Sequence, residues 1–327
     1  MKLEDIGFYT LSDNRAISVS EITPLYRCEL ILTDRCNFKC PYCRGLRDDI
    51  SGDIDLEEAK RIVNIWIANG IKNIRFSGGE PTLYDGLPEL VKICKTGNVE
   101  RIAVSTNGSE TISCYENLID CGVNDFSISL DSGCCSVGEK MTGGISGAWV
   151  NVVENIRYLS KKTYVSVGMV FTEETVDTCF DDVIFADSLG VSDIRIIPSA
   201  QYNKALCSLS ELPRDILEKH KILKYRVENI KNGCHVRGIT NDGPDACWLG
   251  LDDMVSAKGY HFPCVIYMRE GGEPIGKITE NIRLDRRDWV MSHSPKEDPI
   301  CKKNCLDVCI NYNMVASETH QRIKNAS

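Results

Sequence analysis

The sequence has no run approaching the ~18 uncharged apolar residues a helix needs to cross a bilayer. Its N-terminus, MKLEDIGFYT, also lacks an apolar stretch of the signal-peptide kind. Both absences speak against a membrane protein or a secreted one and place the chain in the cytoplasm. Positive charge is short as well: 38 Lys and Arg against 47 Asp and Glu leave a net charge of −9. Such a chain sets up no general field to gather nucleic acid or anionic lipid, so both are disfavoured as partners. Repeats and low-complexity tracts are missing, and the five histidines form no cluster in the sequence. With 327 residues, 43% of them hydrophobic, what remains is an ordinary globular protein with one large domain, or one large and one small.

Cysteine, by contrast, is abundant: there are 17. A reducing compartment gives disulfides little use, and an odd number pairs badly, so metal or redox chemistry is the leading explanation. Cys36, Cys40 and Cys43 stand together in LTDRCNFKCPYCRG, spaced C-x3-C-x2-C. Thiolates hold zinc or iron–sulfur clusters, and three of them in one loop leave a coordination position to fill. A zinc site completed by a distant cysteine is the plainer alternative.

Strand-length apolar runs recur at 28–33, 71–76, 101–106, 125–131, 164–171 and 193–198, with helix-period segments between them. In DLEEAKRIVNIWIANG, Leu56, Ala59, Val63, Trp66 and Ile67 fall on one helical face, with Asp55 and Glu58 placed for the helix start. Further helices are predicted at about 87–96, 111–121, 147–160 and 176–189. Alternation of this kind implies parallel strands with right-handed crossovers. Six units fall short of the eight of a closed barrel, so the expected fold is α/β, an open, partial (β/α)6 TIM-like barrel, with a doubly wound sheet as the alternative. In either case the loops after the strand C-termini form the site. The pattern changes after Pro198: a linking helix is expected near 209–233, then a turn-rich segment with cysteines at 234, 247, 264, 301, 305 and 309. The expected division is residues 1–215 and 216–327.

Directly after the second strand comes SGGEP, Ser77 to Pro81, where paired glycines allow close approach of the backbone to a ligand. CNFKCPYC, FSGGEP, VSTNG after the third strand and SISLD at the fourth, in that order, resemble the radical S-adenosylmethionine (radical SAM) superfamily over roughly residues 25–200. The resemblance implies a [4Fe–4S] cluster on Cys36, Cys40 and Cys43, with S-adenosylmethionine on the fourth iron. It further implies reductive cleavage of that cofactor to a 5′-deoxyadenosyl radical, hydrogen abstraction from a substrate, and a flavodoxin- or ferredoxin-type electron donor. It puts Tyr42 beside the adenine, Gly78, Gly79 and Glu80 at the methionine amino group, Ser105 or Asn107 near the ribose, and Ser129 near the cofactor carboxylate. Gln201 and Tyr202 are weaker candidates for the pocket rim.

Cys247, followed after eleven residues by Gly259 and then by Cys264, together with CKKNCLDVC, is similar to the SPASM and Twitch extensions of the same superfamily. The C-x3-C-x3-C tail departs from the SPASM pattern. One auxiliary [4Fe–4S] cluster is therefore expected on Cys247, Cys264, Cys305 and Cys309, with Cys301 in reserve and Cys234 or Cys207 needed only for a second. A zinc knot is the alternative. Cys94, Cys114, Cys121 and Cys179 lie in helical patterns and are expected to pack as small apolar groups. Cys134 and Cys135, at the barrel mouth, are candidate hydrogen-atom donors, and His261 is expected to be a packing residue.

Members with such extensions modify peptides or proteins, and others act on amino-sugar-like alcohols or on GTP. The expected substrate is a peptide or protein side chain, with a small polar metabolite as the alternative. The GTP cyclases carry basic residues between their C-terminal cysteine ligands and a Gly-Gly tail; here Cys247 is followed by WLGLDD and the sequence ends KNAS, which speaks against that activity. Only 27 residues precede the first strand, too few for a leader-peptide-binding domain. A non-catalytic iron–sulfur or zinc protein is the alternative from another class. The GGEP and STNG loops argue against it, since an electron carrier needs no cofactor pocket beside an open cluster.

Overall fold

The structure, a computed structural model, describes residues 13–198 and 205–326. Gln201 and Tyr202 lie outside the described residues. Six parallel strands follow one another in chain order: β1 (Arg27–Thr33), β2 (Asn73–Gly78), β3 (Arg101–Thr106), β4 (Asp125–Ser129), β5 (Tyr164–Phe171) and β6 (Asp193–Pro198). The helices between them are α2 (Leu56–Ala68), α3 (Leu87–Thr96), α4 (Ile112–Cys121), α5 (Cys135–Met141), α6 (Ala148–Leu159) and α7 (Cys179–Ser188), and α1 (Asp13–Ser18) precedes β1. Each strand pairs in parallel with the next, and β6 ends the row, so the sheet is an open partial barrel.

Alternation along the strands separates two environments. Leu30, Phe76, Val104, Phe126, Val167 and Ile194 belong to the apolar core shared with the helices. The intervening positions carry Arg27, Arg75, Ser77, Asp125, Ser127, Ser166 and Asp193, all buried. A polar lumen of this kind is made to receive a polar ligand. Local chemistry explains α2: Asp55 caps it by accepting from the Glu58 N–H at 3.0 Å. Its core face is Ala59, Ile62, Val63 and Trp66. Leu56 and Ile67, expected on that face, are only partly buried, and Ile62 takes the deeper place.

The expected linking helix is two helices, α8 (Arg214–Lys219) and α9 (Lys221–Lys231). They break at His220, whose Nε2 lies 2.8 Å from Asp187, and the Asp193 carboxylate accepts from the N–H of Ile222 at the start of α9. The segment beyond Cys234, expected to be turn-rich, is largely helical. It carries α10 (Leu249–Asp252), α11 (Val265–Arg269), α12 (Ile282–Ser292), α13 (Pro299–Asn304) and α14 (Asp307–Ala326). It also carries β7 (Asp253–Ala257), β8 (Tyr260–Phe262) and β9 (Gly276–Lys277). β7 pairs in parallel with β1, and β8 and β9 continue antiparallel, so one nine-stranded sheet runs from β6 to β9. Among the described residues no helix is long and apolar enough to cross a membrane.

Arg286 of α12 stitches this segment together. Its Nε donates to Gly250 O at 2.6 Å, Nη1 to Phe262 O at 3.3 Å, and Nη2 to Asp253 O. Nη1 also lies 3.4 Å from His261 Nδ1, and since a guanidinium only donates, that nitrogen accepts. His261 is fully buried, and burial together with Arg286 pushes its pKa down to about 3. The unfolded imidazole titrates near 6.5, so between those values the unfolded chain binds the extra proton and stability falls as pH falls. Lowering the pH from 7 to 5 should cost the wild type about 2 kcal/mol at this site. The expected result is a larger drop in thermal midpoint for the wild type than for His261→Gln, which keeps an acceptor without a titrating ring. Parallel pH profiles would refute this assignment.

Candidate functional site

The C-terminal ends of β1 to β4 converge on a cavity of about 230 Å³. Cys36, Cys40 and Cys43, in the loop after β1, line it together with Tyr42, Gly78, Gly79, Ser105, Asn107 and Ser129. The expected residues are thus brought to one place, with one exception. Glu80 lies beneath the cavity, fully buried, and does not form part of its wall.

The glycine pair has a local reason. Gly78 has φ +148°, and a Cβ there would stand 2.2 Å from Thr33 O; one on Gly79 would stand 2.3 Å from Arg35 O. The Gly79 N–H donates to Thr33 O at 2.8 Å and the Glu80 N–H to Arg35 O at 2.7 Å. Side chains at either position would force the β2 loop away from the start of the cysteine loop. The glycines therefore seat the three thiols as well as leaving backbone exposed to a ligand.

Glu80 organises the next loop. Its Oε1 accepts from the Thr82 N–H at 3.1 Å, the Thr82 hydroxyl at 2.6 Å and the Thr106 hydroxyl at 2.8 Å; its Oε2 accepts from the Asn107 N–H at 2.6 Å. Burial raises its pKa against the pull of these donors. Asn107 then bridges to the cysteine loop, its Nδ2 donating to Asn37 Oδ1 at 2.7 Å. Whichever way the amide of Glu80→Gln is turned, its N–H₂ faces a backbone N–H, of Asn107 or of Thr82, that only donates. A loss of about 2–3 kcal/mol of stability is expected, with weaker S-adenosylmethionine binding by titration calorimetry. Unchanged binding and melting would show that the carboxylate is dispensable.

Tyr42 is fixed by Asp131, the last residue of SISLD, to which the motif assigns no role. Its hydroxyl donates to Asp131 Oδ2 at 2.6 Å, while Asp131 Oδ1 accepts from the Val170 N–H at 2.9 Å. Burial holds the Asp131 carboxyl up at about 6. Thr106, Trp149 and Arg269 also line the cavity and were not anticipated. Trp149 carried no sequence signal, and Arg269 reaches the site from the far C-terminal segment.

A second set of thiols gathers elsewhere. Cys247, Cys264, Cys301, Cys305 and Cys309 line one narrow, mainly apolar space with Tyr267, Trp289 and Leu306. Cys264 Sγ accepts from the Tyr267 N–H at 3.4 Å, and Asn313 Nδ2 lies 3.8 Å from Cys247 Sγ. Cys301 has a partner outside the thiol set: its Sγ is 3.6 Å from His293 Nε2, and Asp298 completes a group whose ligand atoms all lie within 4.8 Å of one another. One histidine thus joins a metal-competent group, although the histidines cluster nowhere in the sequence. Desolvation pushes the Cys40 thiol up to about 12 and Cys247 up to about 11. Any metal must therefore displace protons to bind at either set.

Cys207 and Cys234 are exposed and away from both sets; Cys134 and Cys135 are exposed and outside the cavity walls. Cys94, Cys121 and Cys179 are buried in the core, with Cys114 packed against it.

The donor chemistry fits the groups implied above: three thiols in one loop suit an iron–sulfur cluster with an open position, and the polar wall beside them suits a zwitterionic cofactor. Fold and site together define a parallel α/β barrel with a three-thiol loop and a polar-walled cavity at its strand ends. Residues 30–184 match the family model of the radical SAM superfamily. The chain carries a radical SAM domain, and that family uses a [4Fe–4S] cluster and S-adenosylmethionine.

Among curated proteins, the GTP 3′,8-cyclase of Rhodopseudomonas palustris (strain TIE-1) is 36% identical over 110 residues, 31% of each chain. That of Pelotomaculum thermopropionicum is 36% identical over 128 residues, 37% of this chain and 39% of the relative. The matched stretch thus spans about a third of these relatives' length. Among solved structures, anSMEcpe with bound AdoMet and Cp18Cys peptide has TM-score 0.63 and 17% identity, covering 93% of this chain and 99% of that one. Streptococcus suis SuiB bound to precursor peptide SuiA has TM-score 0.58 and 14% identity, covering 89% and 69%. At these identities the likeness is one of fold.

Proposed function

We propose that this radical SAM enzyme removes a hydrogen atom from a peptide or protein side chain. The supporting observation is the shared cavity that Cys36, Cys40 and Cys43 form with Gly78, Gly79, Ser105, Asn107 and Ser129. Cys36, Cys40 and Cys43 hold the cluster and leave one iron free. Cluster and cofactor together supply a reductively generated 5′-deoxyadenosyl radical. Backbone groups of Gly78 and Gly79 meet the methionine amino group, Ser105 or Asn107 the ribose, and Ser129 the carboxylate. Tyr42, pinned by Asp131, flanks the adenine, while Glu80 acts at one remove by holding Asn107.

In this reading residues 1–215 form the cofactor barrel and residues 216–327 carry the second thiol set. Cys247, Cys264, Cys305 and Cys309 hold one auxiliary [4Fe–4S] cluster. Cys301, which has His293 beside it, stays in reserve. A flavodoxin or ferredoxin supplies electrons. Two fold neighbours, SuiB with precursor peptide SuiA and anSMEcpe with Cp18Cys peptide, were solved with peptides bound, which supports the peptide reading. A small polar metabolite is the second reading, supported by the GTP 3′,8-cyclase name of the relatives that match this chain over about a third of their length.

The test incubates anaerobically reconstituted enzyme with S-adenosylmethionine, dithionite and size-separated cell extract, and reads 5′-deoxyadenosine above the no-extract background. Stimulation by the protein fraction is expected. Stimulation by the low-mass fraction alone would transfer the assignment to a metabolite. No 5′-deoxyadenosine under any condition would refute radical chemistry altogether.

A further inference from the structure

The corner between α12 and α13, HSPKEDPIC, brings three metal-ligating side chains together: His293 follows α12, Asp298 caps α13 and Cys301 lies in its first turn. Local hydrogen bonds fix the corner. Asp298 Oδ1 accepts from the N–H groups of Ile300 at 2.9 Å and Cys301 at 2.8 Å, and the Asp298 N–H donates to Ser294 O at 3.0 Å. One imidazole nitrogen, one carboxylate oxygen and one sulfur then stand within 4.8 Å of one another. Among the described residues no other three His, Cys, Asp or Glu side chains bring their ligand atoms so close.

The spacing has the dimensions of a bound ion. A tetrahedral metal ~2.3 Å from sulfur and ~2.0 Å from nitrogen holds those two atoms roughly 3.5 Å apart. Cys301 Sγ and His293 Nε2 stand 3.6 Å apart. The chemistry of the set selects the ion: a thiolate and a carboxylate beside a neutral imidazole offset the two charges of zinc, whereas magnesium and calcium take oxygen ligands.

Outer contacts hold the ligands in place, as metal sites require. The His293 ring stacks on Trp289, four residues earlier, with centroids 4.1 Å apart, and meets Tyr267 edge to face at 5.8 Å. The Tyr267 hydroxyl in turn donates to Asp298 Oδ2 at 3.3 Å. A route from solvent is also present. His293 lines an open cavity of about 330 Å³ with Asp245, Ser294 and His320, while Cys301 lines the five-thiol space on the other side.

We propose that His293, Asp298 and Cys301 bind one zinc ion, with a fourth position left to water. The fifth C-terminal thiol thereby gains a role of its own. Cys247, Cys264, Cys305 and Cys309 suffice for a four-iron cluster, and Cys301 is the thiol with nitrogen and oxygen partners. The ion ties α12 to α13 and takes no part in the radical reaction, so the site stands or falls independently of the proposed function.

The test titrates the cluster-reconstituted full chain with zinc chloride, anaerobically, then removes free metal and reads zinc and iron per chain together with X-ray absorption at the zinc edge. The wild type is expected to keep one zinc with its iron unchanged, and the metal's shell should hold a single sulfur beside nitrogen and oxygen. His293→Ala should weaken zinc binding at least about tenfold, since a direct ligand counts for no less than an outer partner. His293→Cys should restore it with a second sulfur in the shell, which separates loss of a ligand from loss of the fold. Asp298→Asn, whose side-chain oxygen still caps α13, should also bind zinc more weakly. Equal zinc affinity in the wild type and His293→Ala overturns the site. So does a shell of three or four sulfurs, which would put the metal among the other cysteines, or a wild-type chain that retains no zinc.

Discussion

Replacing any one of Cys36, Cys40 or Cys43 by Ala is expected to bring 5′-deoxyadenosine formation down to the no-enzyme background, with or without substrate. The three thiols sit on one irregular loop, and that loop is held by backbone contacts from Gly79 and Glu80. Two thiols cannot seat a cluster that needs three protein ligands and one open position, so electron delivery to the cofactor is lost. Iron content should fall by about four per chain, since the whole cluster depends on each ligand. The control is Cys114→Ala, whose thiol packs against the barrel's outer core; it should keep both iron and cleavage. A folded Cys40→Ala protein that still released 5′-deoxyadenosine at the wild-type rate would refute the assignment of that loop.

The barrel was legible because its outer face and its lumen differ so sharply in polarity. The strands expected at 101–106, 164–171 and 193–198 and the helix at 87–96 agree with the structure residue for residue. Each strand interior alternates a residue of the apolar core with a lumen residue, and α3 buries Leu87, Leu90, Val91 and Cys94 at helical spacing. Beyond Cys234 the cysteines drew the eye away from the periodicity. Val308, Tyr312 and Ala316 recur every four residues and are the buried face of α14, yet the stretch reads first as a run of ligands. β7 escaped because five residues, Asp253–Ala257, offer too few alternations to distinguish a strand from a turn.

The site was legible in its membership and less so in its mechanics. Motif order located the thiols, glycines and hydroxyls, but spacing could not show that Gly78 and Gly79 press on the neighbouring loop, or that Glu80 turns inward to four donors. Those are properties of adjacent parallel strands whose ends meet in space. Arg195 stood in plain view within DIRIIP, and only the pairing of β6 with β5 puts it level with the cofactor wall.

The second large effect separates cofactor cleavage from product formation. Changing Cys247 and Cys264 together to Ala is expected to leave uncoupled 5′-deoxyadenosine release largely intact while product falls by about a hundredfold, the upper end of what loss of even an outer partner of a metal site costs. The reason is chemical. Hydrogen abstraction leaves an unpaired electron on the substrate, and an oxidised product forms only if that electron is taken up. An acceptor lodged in the five-thiol space, on Cys247, Cys264, Cys305 and Cys309, would take up that electron. The first thiol set is untouched by the change, and its iron should remain at about four per chain. Cys301→Ala supplies the contrast, because His293 already partners that thiol; its iron content and turnover should stay close to the wild type's. Full turnover in a folded Cys247→Ala, Cys264→Ala protein would remove the second thiol set from the reaction. An equal loss of cleavage and product would instead make that set a structural support of the barrel, acting through the pairing of β7 with β1.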